Sequence, residues 1–251
     1  MKIKLHSTYT HLKDELLTLL ANFKSYESHF GTGKRNDVKV IPLNDLTLVV
    51  KSFKLPNIVN QFVYKYIRPS KAKRSFEYAS KLQQLGINTP KPIAYIEQFS
   101  ALGIKESYYI SEYLPCDLTF RDLIDQPEYP AHERILREFT KFTSDLHQKG
   151  ILFLDHSPGN TLIRKENDGY QFYLVDLNRM IFKELSLDER INNFSRLTPK
   201  REMIEIMSEE YAKLNQLDFT MVHQKMRAAR EHFEQKFSRK KRLKQKYLGR
   251  K

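Results

Sequence analysis

Three side chains suited to phosphoryl transfer lie close together in the second half of the chain. Asp155 is followed five residues later by Asn160, and Asp176 comes sixteen residues after that. A nucleotide triphosphate needs magnesium, and this ion prefers oxygen ligands such as carboxylates and amides. A kinase also needs a separate carboxylate that orients the acceptor hydroxyl and takes its proton. The pattern predicts Asp155 as the catalytic base and Asn160 and Asp176 as magnesium ligands.

The sequence around these residues predicts elements that would position them. In chain order, these are a helix over 135–146, a buried strand over 151–154, and a hairpin with strands 161–163 and 172–175. Such a hairpin would bring Asp176 opposite Asn160. Residues 155–160 alone are equally typical of a simple turn, so the prediction depends on the hairpin and the second Asp.

A nucleotide-binding region is expected upstream. The β-rich run 46–51 ends in Lys51, which we predict to contact the nucleotide phosphates. Residues 72–85 have apolar side chains on one face and predict a helix that carries Glu77. A partly buried lysine needs a carboxylate partner, so Glu77 is predicted to pair with Lys51.

Two further segments are predicted to contact the nucleotide. Strands are expected over 93–96 and 108–114, and the backbone of Glu112 to Leu114 would bind the adenine edge before the chain crosses between lobes at Pro115. Residues 31–38 contain two of the three glycines of a phosphate-covering loop. Asn36 takes the third position, where it would adopt left-handed backbone, and Lys34 would contact phosphate. A plain hairpin turn is an equally good interpretation of this segment.

Composition favours a folded protein with an anionic partner. The chain has 251 residues, 40% of them hydrophobic, and a net charge of +13. No apolar run reaches the roughly 18 residues of a membrane-spanning helix, and the first residues lack the apolar core of a secretory signal. The single Cys116 cannot form an internal disulfide. Residues 236–251 carry nine Lys or Arg and no acid, which favours a surface-seeking basic tail, although a solvated helix end has the same composition.

With these parts in order, the sequence resembles the lipopolysaccharide core kinases of the protein-kinase-like superfamily, which phosphorylate Kdo or heptose. The resemblance covers residues 36–214. Its most specific stretches are 50–54, 71–79, 150–162, 175–179 and 190–197, and the last three are closest to the Kdo-kinase branch.

The resemblance implies a two-lobed α+β fold and an ATP- and Mg²⁺-dependent kinase acting on a lipid-linked sugar such as Kdo-lipid A. It implies the same roles for Lys51, Glu77, Asp155, Asn160 and Asp176. We expect a cytoplasmic protein on the inner face of the inner membrane, held at anionic lipid by its tail. A second basic cluster at Lys54, Lys65, Arg68, Lys71, Lys73 and Arg74 is consistent either with this role or with a solvated helix face. The expected organisation is a helical extension over 1–30, a β-rich N-lobe with one helix over 31–114, a mostly helical C-lobe over 115–235 and the tail over 236–251.

Three departures from the kinase pattern and two alternative functions remain open. Phe153 stands where a histidine normally braces the metal loop, Leu177-Asn178 replaces Phe-Gly after Asp176, and the third glycine is missing. A small-molecule phosphotransferase would share the catalytic residues without needing the tail. An inactive kinase-like scaffold could use its basic surface for RNA, but the aromatic residues do not cluster with the basic ones as a stacking platform requires, so nucleic acid is not expected.

Overall fold

The computed structural model describes residues 1–27, 36–54, 69–100 and 103–248, which form two compact units. The first unit contains Met1–Pro115 together with the short segment Val175–Asn178. The second contains Cys116–Leu174 and the chain from Arg179 onward. The first unit is therefore built from two separate parts of the sequence.

The first unit is organised around an antiparallel sheet of five strands in the order β1-β4-β5-β3-β2. The strands are β1 (Lys2–Leu5), β2 (Asn36–Leu43), β3 (Leu46–Phe53), β4 (Pro92–Ser100) and β5 (Gly103–Glu112). The hairpin between β2 and β3 turns at Asn44, whose φ of 52° is left-handed, a conformation that Asn tolerates well. The predicted strands before Lys51 and Pro115 correspond to β3, β4 and β5.

The N-terminal segment packs onto this sheet. Strand β1 pairs with β4, and α1 (Lys13–Ala21) places Leu16 and Leu19 in one core with Ile41 and Ile96. The buried ammonium of Lys39 on β2 donates a 2.8 Å hydrogen bond to the carbonyl of Phe23 and so holds the end of this segment. Residues 1–26 are thus part of the first unit.

Helix α2 (Lys71–Gln84) also belongs to the first unit. Ser70 caps its start by accepting a hydrogen bond from the backbone N–H of Lys73 at 3.0 Å. Its buried face carries Phe76, Ala79 and Leu82, as the apolar spacing in the sequence predicts.

The second unit is mostly helical with two small sheets. Its helices are α3 (Phe120–Asp125), α4 (His132–Gln148), α5 (Leu187–Asn192), α6 (Arg201–Asn215) and α7 (Phe219–Leu248). Its strands are β6 (Leu118–Thr119), β7 (Ile151–Phe153), β8 (Thr161–Glu166), β9 (Gly169–Leu174) and β10 (Met180–Phe182), paired as β10-β7 and β6-β8-β9. Phe120, Phe139 and Phe172 pack in its core with side chains of α6 and α7.

Gly150 makes the connection from α4 to β7 possible. Its φ is 68°, and a Cβ atom there would lie 2.6 Å from the carbonyl oxygen of Lys183. Any other residue would clash with this backbone. The two segments cannot easily move apart, because the N–H of Lys183 donates a 2.9 Å hydrogen bond to the Gly150 carbonyl. This tight turn sends the chain from α4 directly into β7 and Asp155.

Helix α7 is long and has two different halves. Val222 and Met226 are buried in the core, whereas Phe237 and Leu243 are exposed among basic side chains. The residues predicted as a separate tail continue this helix as far as Leu248. Among the described residues, no helix has both the length and the apolarity needed to cross a membrane.

Candidate active site

Asp155 lies just after β7 in the second unit, and two arginines lie near its carboxylate. Nη1 of Arg196 lies 2.6 Å from Oδ1 of Asp155, and Nη1 of Arg179 lies 3.7 Å from the same oxygen. Oδ2 accepts no hydrogen bond from any described residue. One carboxylate oxygen is therefore fixed, and the other is left to accept a proton.

The backbone around Asp155 is held through three successive carbonyl groups. The Phe153 carbonyl accepts from Nδ2 of Asn193 at 2.8 Å, and the Leu154 carbonyl accepts from Arg196 at 2.8 Å. The carbonyl of Asp155 accepts from Nδ2 of Asn160, also at 2.8 Å. These bonds fix the backbone of residues 153–155, and two of the three donors are side chains that follow α5.

Asn193 belongs to a buried hydrogen-bonded network. Its Oδ1 lies 3.2 Å from Nε2 of His147, and Nδ1 of His147 lies 3.0 Å from the hydroxyl of Tyr211. Burial lowers the pKa of His147 to about 4, so the ring is neutral at neutral pH. Since Asn193 Oδ1 can only accept, Nε2 carries the proton and Nδ1 accepts from Tyr211. The network fixes the Asn193 amide that holds Phe153.

His156, next to Asp155, is a second buried imidazole. Its ring packs against those of Phe139 and Phe153, and neither of its nitrogens has a hydrogen-bond partner within the described residues. The amide of nearby Asn193 already donates to Phe153. Burial lowers the pKa of His156 to about 3. His156 therefore acts as an apolar anchor beneath the loop and is not an acid or base at neutral pH.

The donor chemistry of Asn160 is suitable for magnesium. Because Nδ2 of Asn160 donates to the carbonyl of Asp155, the amide orientation is fixed. Its Oδ1 accepts no hydrogen bond from the described residues and is left as an oxygen ligand. Strand β8 begins directly after Asn160, and β9 ends two residues before Asp176.

Asp176 lies in the first unit, where it pairs with Lys51. Nζ of Lys51 is 2.6 Å from Oδ1 of Asp176, and the side chains are 15% and 30% exposed, so the pair is only partly shielded from solvent. Asp176 has a φ of 59°, in the left-handed region that a non-glycine residue adopts at a cost of about 1–3 kcal/mol. Strain of this kind is typical of residues with a functional constraint.

Asn178 and Arg74 hold the segment that contains Asp176. Nδ2 of Asn178 donates to Oδ1 of Asp176 at 2.6 Å, and the Asn178 carbonyl accepts from Nη1 of Arg74 at 2.9 Å. Arg74 is buried and lies on α2. The reading of Arg74 as part of a solvated basic face is therefore wrong, while Lys65 and Arg68 of that cluster lie outside the described residues.

The predicted ion pair between Lys51 and Glu77 is not formed in this structure. Glu77 is half exposed on α2 and lies 3.6 Å from Lys73, one helical turn before it. Lys51 pairs with Asp176 instead. Sequence order could not decide between two carboxylates that are 26 and 125 positions from the same lysine, because each is equally able to neutralise it.

The end of β5 has one backbone donor free for a ligand. The N–H groups of Glu112 and Tyr113 donate to the carbonyls of Lys91 and Thr47 at 2.9 and 2.8 Å. Leu114 makes no hydrogen bond with the described residues. The Glu112 carboxylate accepts a short hydrogen bond from the hydroxyl of Tyr9, whose pKa is raised by burial and by this carboxylate. The N-terminal segment thereby supports this strand end.

Of the two residues predicted in the phosphate-covering loop, Lys34 lies outside the described residues. Asn36 is the first residue of β2 and pairs with Phe53. It is not among the described residues with positive φ, so it does not replace the third glycine through left-handed backbone. Its Oδ1 is buried and has no partner among the described residues.

Residues 54–218 match the lipopolysaccharide kinase (Kdo/WaaP) family, and the chain belongs to this family. The match includes Asp155, Asn160 and Asp176 and begins three residues after Lys51. The family is one of phosphotransferases, as the sequence predicts.

The fold is similar to that of WaaP. A solved structure of WaaP in complex with acyl carrier protein is similar, with a TM-score of 0.61 and 14% sequence identity, over 95% of this chain and 99% of that one. This similarity confirms the predicted kinase-like fold. The comparison with curated proteins finds no match.

Sequence reasoning did not assign roles to the residues that position the site. Asn193 and Arg196 lie in the stretch 190–197 that carries the family resemblance, and Arg179 and Asn178 lie in 175–179. The sequence did contain one signal for them: each is a polar residue without an assigned role inside a stretch that is specific to the family. Their partners are up to 104 positions away, so the contacts themselves required the fold.

Proposed function

We propose that this protein transfers the terminal phosphate of ATP to a sugar hydroxyl of the lipopolysaccharide inner core, and that the sugar is Kdo rather than heptose. Family membership supports the core-sugar kinase. The resemblance of 150–162, 175–179 and 190–197 to the Kdo-kinase branch supports the acceptor. The observation that carries the proposal is the Asp155 carboxylate, whose Oδ1 is held by Arg196 and whose Oδ2 accepts no hydrogen bond from the described residues.

In this mechanism Asp155 acts on the acceptor. Its free oxygen orients the sugar hydroxyl and takes the proton as the new O–P bond forms. The bond between the terminal phosphorus and the bridging oxygen breaks, and ADP leaves. The proton then passes from Asp155 to solvent. Because Arg196 fixes the other carboxylate oxygen, Asp155 needs little reorganisation during the step.

Asn160 and Asp176 are proposed as the magnesium ligands, and Lys51 as the contact to the nucleotide phosphates. Bound magnesium neutralises phosphate charge and aligns the transferred group. A carboxylate and an amide can suffice, since magnesium keeps several of its waters. Asp176 would exchange its lysine partner for the metal, which frees the Lys51 ammonium to bind phosphate.

The remaining nucleotide contacts are proposed around β5 and β2. We propose that the adenine edge forms hydrogen bonds with the N–H of Leu114 and with the backbone of Glu112. A ligand site fixes orientation through a few polar groups at a defined spacing. Lys34 would contact phosphate through its charge. Asn36 would contact a nucleotide hydroxyl through its amide oxygen, which is buried and has no partner among the described residues.

We further propose that α7 holds the enzyme on the cytoplasmic face of the inner membrane. The exposed part of this helix presents Lys236, Arg239, Lys240, Lys241 and Arg242 around Phe237 and Leu243. Each well-placed basic residue contributes about 1 kcal/mol to binding at an anionic surface. A lipid-linked anionic acceptor lies at the same surface.

The test is transfer of radiolabelled phosphate from ATP to purified Kdo-lipid A, comparing wild type with Asp155→Asn and Asp176→Asn. Both variants should fold normally and lose transfer, and Asp176→Asn should also lose Mg-ATP binding. A wild-type protein that binds Mg-ATP but phosphorylates neither Kdo-lipid A nor a heptose-containing core would contradict the proposal. Phosphorylation of heptose alone would reject Kdo as the acceptor.

A further inference from the structure

The surface around Asp155 carries more positive charge than positioning one carboxylate requires. Two guanidinium groups face the same Oδ1 atom, Arg196 at 2.6 Å and Arg179 at 3.7 Å. One of them is enough to neutralise and orient the carboxylate. Because the other guanidinium group has no carboxylate of its own, this part of the second unit carries a net positive charge.

The two arginines differ in how fully they are engaged. Arg196 donates to both Asp155 and the Leu154 carbonyl, and its guanidinium lies 5.9 Å from the ring centre of Phe233. Arg179 is 59% exposed, and its 3.7 Å contact with Asp155 is too long for a hydrogen bond. Within the described residues, the side chain of Arg179 makes no hydrogen bond, so its N–H donors are available to a ligand.

A second uncommitted arginine lies against the catalytic loop. The guanidinium of Arg121 lies over Gly159, where a Cβ atom would be 3.4 Å from Nη2. Arg121 is exposed and forms no hydrogen bond or ion pair with the described part of the chain. The loop from Asp155 to Asn160 is thus accompanied by two guanidinium groups with free donors.

Exposed apolar side chains adjoin Arg179. Leu154, whose N–H donates to the Arg179 carbonyl at 3.0 Å, is 42% exposed, and Ile181 on β10 is 37% exposed. Because side chains alternate along a strand, Arg179 and Ile181 lie on one face of β10 and its extension. An exposed cation with apolar neighbours suits an anionic group that is part of an amphiphilic molecule.

We propose that Arg179, assisted by Arg121, forms an acceptor subsite that binds an anionic group next to the hydroxyl that Asp155 activates. The group is a carboxylate of the sugar or a phosphate of the same molecule, since a guanidinium binds either through paired N–H donors. Arg196 is a positioning residue for Asp155 and does not bind the acceptor. This inference rests on the proposed function, and it makes charge on the acceptor the determinant of specificity.

The test measures binding of Kdo-lipid A in detergent micelles, without nucleotide, by wild type, Arg179→Gln, Arg121→Gln and Lys141→Gln. Lys141→Gln is the matched control, because it removes one exposed charge from α4. Loss of hydrogen bonds to a charged group should raise the Kd of Arg179→Gln by about 10- to 100-fold. Arg121→Gln should have a smaller effect, and Lys141→Gln should stay within about twofold of wild type.

Two modified acceptors identify the anionic group. One has the Kdo carboxylate converted to an amide, and the other has the lipid A phosphates removed. Wild type should bind one of them as weakly as Arg179→Gln does, and that acceptor lacks the recognised group. The subsite does not exist if Arg179→Gln binds unmodified Kdo-lipid A as tightly as wild type. It also does not exist if the difference in Kd between wild type and Arg179→Gln is the same for both modified acceptors as for Kdo-lipid A.

A transfer assay separates this inference from the proposed function. Arg179→Gln should raise the KM for the acceptor much more than it changes kcat or the KM for ATP. A change confined to the KM for ATP would place Arg179 at the nucleotide and overturn the inference. Wild-type binding that depends on Arg179 without any transfer would instead reject the proposed function and leave the subsite standing.

Discussion

A single nitrogen of Arg196, Nη1, donates both to Oδ1 of Asp155 at 2.6 Å and to the carbonyl of Leu154 at 2.8 Å. The side chain and the backbone before it are therefore fixed by the same group. The aspartate cannot rotate about its side-chain bonds without breaking a charge-assisted hydrogen bond, which is among the stronger kinds in proteins.

Arg196→Ala should lower kcat by about 10- to 100-fold, because a hydrogen bond to a charged group contributes about 1.5–3 kcal/mol. The KM for ATP should change little. Steady-state phosphate transfer measures both constants, with Arg201→Ala as a control that removes an exposed arginine at the start of α6. A normal kcat in Arg196→Ala would mean that Asp155 does not need this contact.

Lys51→Met should reduce kcat/KM for ATP by about 100-fold or more, whereas Glu77→Gln should change it by less than about threefold, as for other exposed ion pairs. The reason is that Lys51 pairs with Asp176, while Glu77 is half exposed beside Lys73. Isothermal titration with Mg-ATP provides an independent measurement. Equal losses in the two variants would show that Glu77 replaces Asp176 as the partner of Lys51 when nucleotide is bound.

Stability should fall as the pH is lowered below about 6.5, the ordinary histidine pKa. Burial lowers the pKa of His147 to about 4 and of His156 to about 3, so between these values and 6.5 the unfolded chain binds more protons than the folded one. Each histidine should cost about 2 kcal/mol of folding free energy by pH 5. Urea unfolding at pH 7.5 and pH 5 measures this loss.

His156→Leu should remove about half of this pH-dependent loss, because leucine has a similar volume and does not titrate. His232→Gln is the control, because it removes a histidine that is exposed and lies outside the core. An equal decrease in stability for wild type and His156→Leu would show that His156 can be protonated in the folded protein.

Replacing Lys240, Lys241 and Arg242 by glutamine should weaken binding to phosphatidylglycerol-containing vesicles by about 100-fold, at about 1 kcal/mol per charge. The three side chains are exposed on α7, so the midpoint of thermal unfolding should not change. Vesicle sedimentation gives the affinity, and pure phosphatidylcholine vesicles provide the control. Unchanged binding to anionic vesicles would remove α7 from membrane attachment.

The sequence predicted elements better than contacts. The apolar spacing from Ile135 to Leu146 and the two apolar runs at 161–163 and 172–175 lead to α4 and the β8–β9 hairpin, because these patterns depend on neighbouring residues. The strand β1 has only four residues, and their alternation does not identify a partner strand, so its pairing with β4 was not predicted. The partners of Asp155 and Lys51 also depend on distant residues, since any of several charges satisfies local chemistry.

The contribution of Val175–Asn178 to the first unit affects how the chain can be divided and in what order it can fold. A fragment that stops at Pro115 would contain all five strands of the sheet, yet Lys51 would lack Asp176 and Arg74 would lack the Asn178 carbonyl. During synthesis the first unit therefore stays incomplete until β9 has been made. The first unit should reach its final structure only after residues 116–174 of the second unit have been synthesised, and a fragment that ends at Pro115 should be less stable than the same residues in the full chain.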